Sequence, residues 1–241
     1  MEIGRLFITK ERLQNNFMEK TPIPQNKTDS EKPKTYLYHM VPIDMQPNEE
    51  GKEVLYPLNM IEEKFPGLYK IKADKYNSRD EHGNVNEYRK NIPNTIIPVL
   101  EKATWGDVVQ LTAIHPKDLK VALEQAGLNP EEFKFYQIDP ELLDPQNTTI
   151  FLYRDDIADD SKENFTKYDP LKLEEYASVP QKAKDHYAEV SEFNKKVLEH
   201  NRAVKDDKDM KSRKRPTLFV GVPHIFHKGS IDVSNFPVIV V

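Results

Sequence analysis

The chain has 241 residues, of which 40 are acidic and 35 are Lys or Arg, giving a net charge of −5. That balance argues against general nucleic-acid binding, which needs a basic face to displace counterions. No cysteine is present, which excludes disulfides, thiolate zinc sites and cysteine nucleophiles.

The length predicts one large domain, with or without appendages. A hydrophobic content of 37% against 31% charged residues predicts a modest core with solvated insertions. No apolar run approaches the ~20 residues of a membrane span, and the opening residues MEIGRLFI hold no signal-peptide core. A soluble protein with no membrane partner is expected, cytoplasmic or delivered into another cell by a non-classical route.

Residues 1–34 read as an N-terminal segment and linker. Phe7 to Met18 suits a short amphipathic helix, and Thr21 to Lys34 is rich in Pro, Lys, Asn and Ser. The domain is expected to span residues 35–241. It opens on a strand, Thr35 to Val41, closed by Pro42, and Glu53 to Tyr56 reads as a second short strand. A helix is predicted over Leu58 to Phe65, broken at Pro66-Gly67, with another from Leu68 to Tyr76. Asn77 to Asn94 reads as a polar loop.

Asp107 to Ile114 is the next strand. Pro116 follows at a helix N1 position, where its missing N–H costs nothing. Leu119, Ala122, Leu123 and Ala126 then share a helical face, and Gly127 supplies the stop. Phe133 to Ile138 and Thr148 to Tyr153 are further strands, separated by Asp-Pro turns. From about 155 to 215 a charged helical insertion is expected, with a capping box at Ser178 and Gln181 and a helix to about Ala203. Lys211 to Arg215 is a local basic run that reads as a solvated loop. Two apolar runs, Thr217 to Val222 and Pro237 to Val241, are expected to form a closing hairpin around a polar loop holding His224 and His227. Seven strands without regular helix alternation predict an α+β domain with a mixed or antiparallel sheet core and short helices. No glycine-rich loop follows a strand, so dinucleotide-binding and P-loop fingerprints are absent.

The seven histidines are the first candidates for chemistry. His39 stands inside an apolar strand, either as a hydrogen-bonded core residue or as a ligand. His115 sits at a strand-to-helix junction and suits a cap. A metal reading would join His39, His115, His224 and His227. The three-residue spacing of His224 and His227 sends them to opposite faces of a strand, and no HExxH helix occurs, so no metal site is expected. A Ser-His-Asp hydrolase lacks its G-x-S-x-G elbow. Forty acidic residues make any single glycosidase-like carboxylate pair uninformative. Trp105, the one tryptophan, anchors the loop before a strand or lines a pocket.

Four segments carry a resemblance. They are TYLYHMVP from Thr35, DVVQLTA from Asp107, FKFYQIDPELL from Phe133, and VPHIFHKGSIDVSNFPVIV from Val222. Their order resembles the ADP-ribosyltransferase-like fold in its divergent bacterial forms, over most of residues 35–153 and 217–241. The whole chain is also similar to a bacterial family whose members open this domain with Tyr-Leu-Tyr-His-Met-Val-Pro, a likeness that assigns no activity. The first resemblance implies a nucleotide-binding transferase that uses NAD to modify a macromolecular target, such as a protein. It implies that His39 contacts ribose or phosphate, that Tyr38 and Thr112 line the cofactor pocket, and that His224 occupies the place of the family's acid. An imidazole cannot supply the negative field of that carboxylate. The transfer reading therefore needs a substitute, such as Asp232 or Glu53. Some relatives replace the acid with basic residues and handle phosphate-bearing RNA ends; His39, His115, His224, His227 and Lys228 would suit such a set. The competing expectation is a non-catalytic protein-interaction module on the same scaffold.

Overall fold

The computed structural model describes residues 34–42, 45, 47–73, 90–154, 156–204 and 216–241. The expected N-terminal helix and the linker up to residue 33, most of the polar loop with His82, and the basic run of 211–215 lie outside the described residues.

The strands are β1 (Leu37–Met40), β2 (Val54–Leu55), β3 (Val108–Leu111), β4 (Lys134–Ile138), β5 (Thr148–Phe151), β6 (Phe165–Lys167), β7 (His224–Lys228), β8 (Ile231–Asp232) and β9 (Val238–Val240). The α-helices used below are α1 (Leu58–Lys64), α2 (Pro66–Ala73), α3 (Pro116–Gln125) and α4 (Gln181–Val204). Among the described residues all strand pairing is antiparallel, in three sheets ordered β1-β4-β9, β2-β8 and β3-β7-β5-β6. Lys34–Val241 forms one compact unit. The fold is a single-domain α+β arrangement, as the strand and helix count predicts.

One row of residues ties the two larger sheets together. Gln137 pairs with Tyr38, and Tyr38 bridges to Thr112 beyond the end of β3. Extending the β3–β7 register by one residue sets Thr112 beside His224, which in turn pairs with Phe151. Side chains alternate along each strand, so this combined sheet has two faces. On the first, Tyr38 and Phe135 pack with Leu119, Ala122 and Leu123 of α3 and Ala183 and Tyr187 of α4. The same face continues into an aromatic cluster of Phe151, Phe165 and Phe226. On the second, Leu37, Tyr136, Val109, Leu111, Ile150 and Ile225 pack with Leu55, Ile231 and Val233 from around the β2–β8 pair.

Local rules explain the elements that match the sequence. His115 caps α3, its Nδ1 accepting from the Lys117 N–H at 3.1 Å, with Pro116 in the first turn. Gly127 follows at φ +79°, a conformation glycine adopts without steric cost.

Two expectations are corrected. Thr217 to Val222 is not a strand. Leu218 to Gly221 is a turn, with Gly221 at φ +65°. Leu218, Phe219 and Val222 all pack into the core beneath α4. A contiguous apolar run buries equally well as a packed turn, because it lacks the alternation that marks a half-buried strand. The strand begins only after Pro223. His224 and His227, expected in a loop, therefore sit on β7, an interior strand of its sheet, and β9 belongs to a different sheet. The 155–215 stretch is also less of an appendage than its charge suggests. It contributes β6 to the sheet edge, and Phe165, Tyr168, Leu173, Ala183 and Tyr187 are buried.

Candidate functional site

One cleft forms where the two larger sheets part. Tyr38 and Thr112 exchange both main-chain hydrogen bonds, Tyr38 N–H to Thr112 O at 2.8 Å and the reverse at 3.0 Å. Continuing that register would pair Met40 with Gln110, but β1 turns away to pair with β4 while β3 stays with β7. Peptide groups alternate sides along a strand. Val41 donates to Lys134 of β4, so Met40, like Tyr38, directs its main chain toward β3. Asp107 accepts from Gly229 after β7, so Val108 and Gln110, like Thr112, direct theirs toward β1. Two strand edges thus face each other across a gap without pairing.

The gap opens into a crevice of about 340 Å³, within the size range of small-molecule sites. His39 and Gln110 flank it, Val54 and Val109 form apolar floor, and Leu58, Ile61, Phe65 and Leu68 of the α1–α2 pair form one wall. Lys72, Tyr56 and Trp105 complete its polar groups. No Asp or Glu is among the described residues that line it. The described lining is thus mostly apolar, with Lys72 as its one formally charged side chain.

His39 Nδ1 lies 2.7 Å from the Met40 carbonyl oxygen. A carbonyl only accepts, so Nδ1 carries the proton, and the ring orientation is set from its own strand. Trp105 is held by the capping box of Thr104 and Asp107 and by edge-on contacts with Phe151 at 5.1 Å and Phe226 at 4.9 Å. Its indole N–H is buried without a hydrogen-bond partner among the described residues. Asp107 also accepts from the Asn59 amide at 2.7 Å, which ties α1 to the same turn. Burial pushes the Asp107 carboxyl up, but the bonds from Thr104 and Asn59, with the charge of Lys228, prevail and hold it below the ordinary carboxylate value.

The residues singled out in the sequence divide between the two faces. His39 lines the crevice. Tyr38 points the other way, 5% exposed and edge-on to His115 at 5.2 Å. Burial, then the neighbouring Tyr36 and Asp118, push its phenol up to about 12. Thr112 is buried, and its Oγ1 accepts from the Ile114 N–H at 3.1 Å. His224 shares the face of Tyr38 and Thr112. It stacks on Phe226 at 6.0 Å and stands edge-on to Phe219 at 6.4 Å. Burial lowers its pKa to about 4, so the ring is neutral at pH 7.

His227 faces the opposite side to His224. Its Nδ1 is 2.9 Å from the Thr148 hydroxyl, and burial lowers its pKa against the opposing pull of Asp144. The structure therefore groups Tyr38, Thr112 and His224 beneath the helices and leaves His39 at the crevice. Among the described residues no group of three or more His, Asp or Glu side chains gathers to hold a metal ion. No helix among them is long and apolar enough to cross a membrane.

Sequence reasoning missed Gln110 and Tyr136. Gln110 is an ordinary strand residue by composition, and its importance comes from where β1 and β3 separate. Tyr136 reads as one more aromatic in an alternating strand, yet it lies directly opposite His39 in the β1–β4 register. No family profile, curated protein or solved structure matches the chain.

Proposed function

We propose that the crevice binds a nucleotide of the NAD type and that the protein is a transferase using it to modify a macromolecular target. The observation that carries this reading is the parting of the β1 and β3 edges beyond Tyr38 and Thr112, where His39 and Gln110 line a mostly apolar crevice. A planar carboxamide on an aromatic ring, as in nicotinamide, offers a donor and an acceptor to such edges and an apolar face to the walls. The His39 imidazole and the Lys72 ammonium are among the lining residues and would meet the ribose–pyrophosphate segment. On this reading His39 contacts the nucleotide, while Tyr38, Thr112 and His224 support the sheet from the other face.

Calorimetric titration of the full chain with NAD tests it. Saturable binding that His39→Ala weakens tenfold or more, and that His224→Ala leaves within about twofold, supports the reading; a tenfold change is about 1.4 kcal/mol. No binding up to about 1 mM, the top of the usual range for substrates, would favour the protein-interaction module.

A further inference from the structure

Trp105 is the one tryptophan in the chain, and its indole N–H is a buried donor with no acceptor among the described residues. No other buried side-chain nitrogen or oxygen among them lacks a partner. A buried tryptophan normally finds an acceptor for this group, because an unmet donor forfeits the hydration it had in the unfolded chain. The surroundings supply none. Phe151 and Phe226 meet the ring edge-on, with centroids at 5.1 and 4.9 Å, and the cluster it packs against is otherwise aliphatic or aromatic. The residue is also firmly held. Its main-chain N–H donates to the Thr95 carbonyl at 3.0 Å. Asp107 closes the turn, accepting from the Thr104 N–H at 2.8 Å and from its hydroxyl at 2.9 Å. The donor is therefore unpaired and fixed at once. Trp105 is partly exposed and lines the crevice with Val108 and Gln110, so the crevice is the space from which an acceptor can come.

The chemistry of that acceptor follows. An indole N–H only donates, so its partner carries a lone pair. A phosphate or carboxylate oxygen would have to leave water for the aromatic surroundings of Phe151 and Phe226, which is costly for a charge. A neutral carbonyl oxygen on a flat ring suits both the donor and the apolar walls. We infer that the Trp105 indole N–H is the specificity donor of the crevice and meets a carbonyl oxygen on the planar ring of the bound molecule. For a nucleotide of the NAD type this is the carboxamide oxygen, an assignment that rests on the nucleotide reading above. The N–H has almost no free surface of its own, so the ligand reaches it by displacing wall side chains while the turn keeps the indole in place. A ring without an acceptor at this position leaves the donor buried and unpaired, and is rejected for that reason.

A single tryptophan gives a single indole N–H resonance, identified by its loss in Trp105→Phe. The test follows that resonance in the isotope-labelled full chain during titration with NAD and with the NAD analogue that has hydrogen in place of the carboxamide. Calorimetry measures the affinity of both ligands for wild type and Trp105→Phe. NAD is expected to move the resonance downfield, as formation of a hydrogen bond does, and the analogue is expected not to. Wild type should prefer NAD over the analogue, and Trp105→Phe should reduce that preference by about tenfold, the scale of satisfying one buried donor. A merely structural tryptophan would weaken both ligands alike and leave the preference unchanged. NAD binding that leaves the wild-type resonance in place overturns this assignment alone, whether or not the variant folds. So does an equal downfield shift with both ligands. Absence of NAD binding overturns the nucleotide reading and this assignment with it.

Discussion

Gly106 is where a single methyl group should loosen the crevice wall. A Cβ at this buried glycine would lie 2.5 Å from Asn59 Oδ1 and 2.8 Å from its Cγ and Nδ2. Those atoms end a short, rotatable side chain, so the backbone can stay while Asn59 swings away. The swing breaks the 2.7 Å bond from Asn59 to the Asp107 carboxylate, which tethers α1 to the turn holding Trp105. A hydrogen bond to a charged group contributes about 1.5–3 kcal/mol, and this partly exposed one belongs at the low end. Replacing glycine with alanine restricts the unfolded chain and returns about 0.4–1 kcal/mol. The net loss for Gly106→Ala is then about 1 kcal/mol, a fall in Tm of roughly 2–4 °C for a domain of this size. In an Asn59→Ala background the bond is already gone, so Gly106→Ala should raise Tm by a degree or more. Calorimetric melting of the four proteins in this double-mutant cycle decides it. Equal destabilisation in both backgrounds would refute the reasoning and place the strain elsewhere.

Two further substitutions separate support from binding. Thr112→Val removes the acceptor for the buried Ile114 N–H and should cost about 1–3 kcal/mol in denaturant unfolding while leaving the NAD titration unchanged; a loss of binding without a loss of stability would return Thr112 to the pocket. His224 has a folded-state pKa of about 4, below its ordinary 6.5, so the unfolded chain takes up a proton that the folded chain refuses. Its contribution is fully present above pH 6.5 and is lost as pH falls toward 4, by up to about 3 kcal/mol at 1.36 kcal/mol per unit. His224→Phe, which keeps an aromatic ring against Phe226, should remove that loss, so the stability difference between wild type and variant should slope across this window. A flat difference would show that the imidazole is solvated.

Much of the fold was legible because it rests on local rules. Pro116 and Gly127 bound α3, Pro66 separates α1 from α2, and alternation marks β1 and β4. The turn at Leu218 to Gly221 was not legible, since its apolar run buries as well folded back as extended. The site was legible only in part, for a geometric reason. Tyr38 and His39 are neighbours in sequence, and a period of two puts them on opposite faces. A motif read as a string, TYLYHMVP, joins residues that the strand separates. Reading alternation into that string would have assigned Tyr38 to the core and left His39 alone as the crevice candidate.

The crevice itself depends on a relation that no segment of sequence contains. β1 and β3 are ordinary strands, and either could have continued along the other beyond Tyr38 and Thr112. They part there, β1 following β4 over four consecutive pairs and β3 following β7 over four, each partner on the edge away from the gap. The partners come from residues 134–138 and 224–228, far along the chain, so the open edges at Met40 and Gln110 are a property of long-range pairing. The same pairing with β4 brings Tyr136 opposite His39, and the Tyr136 phenol donates to the carboxylate of Glu53, the residue before β2. The open edges at the crevice therefore depend on the same strand contacts that hold the two larger sheets together.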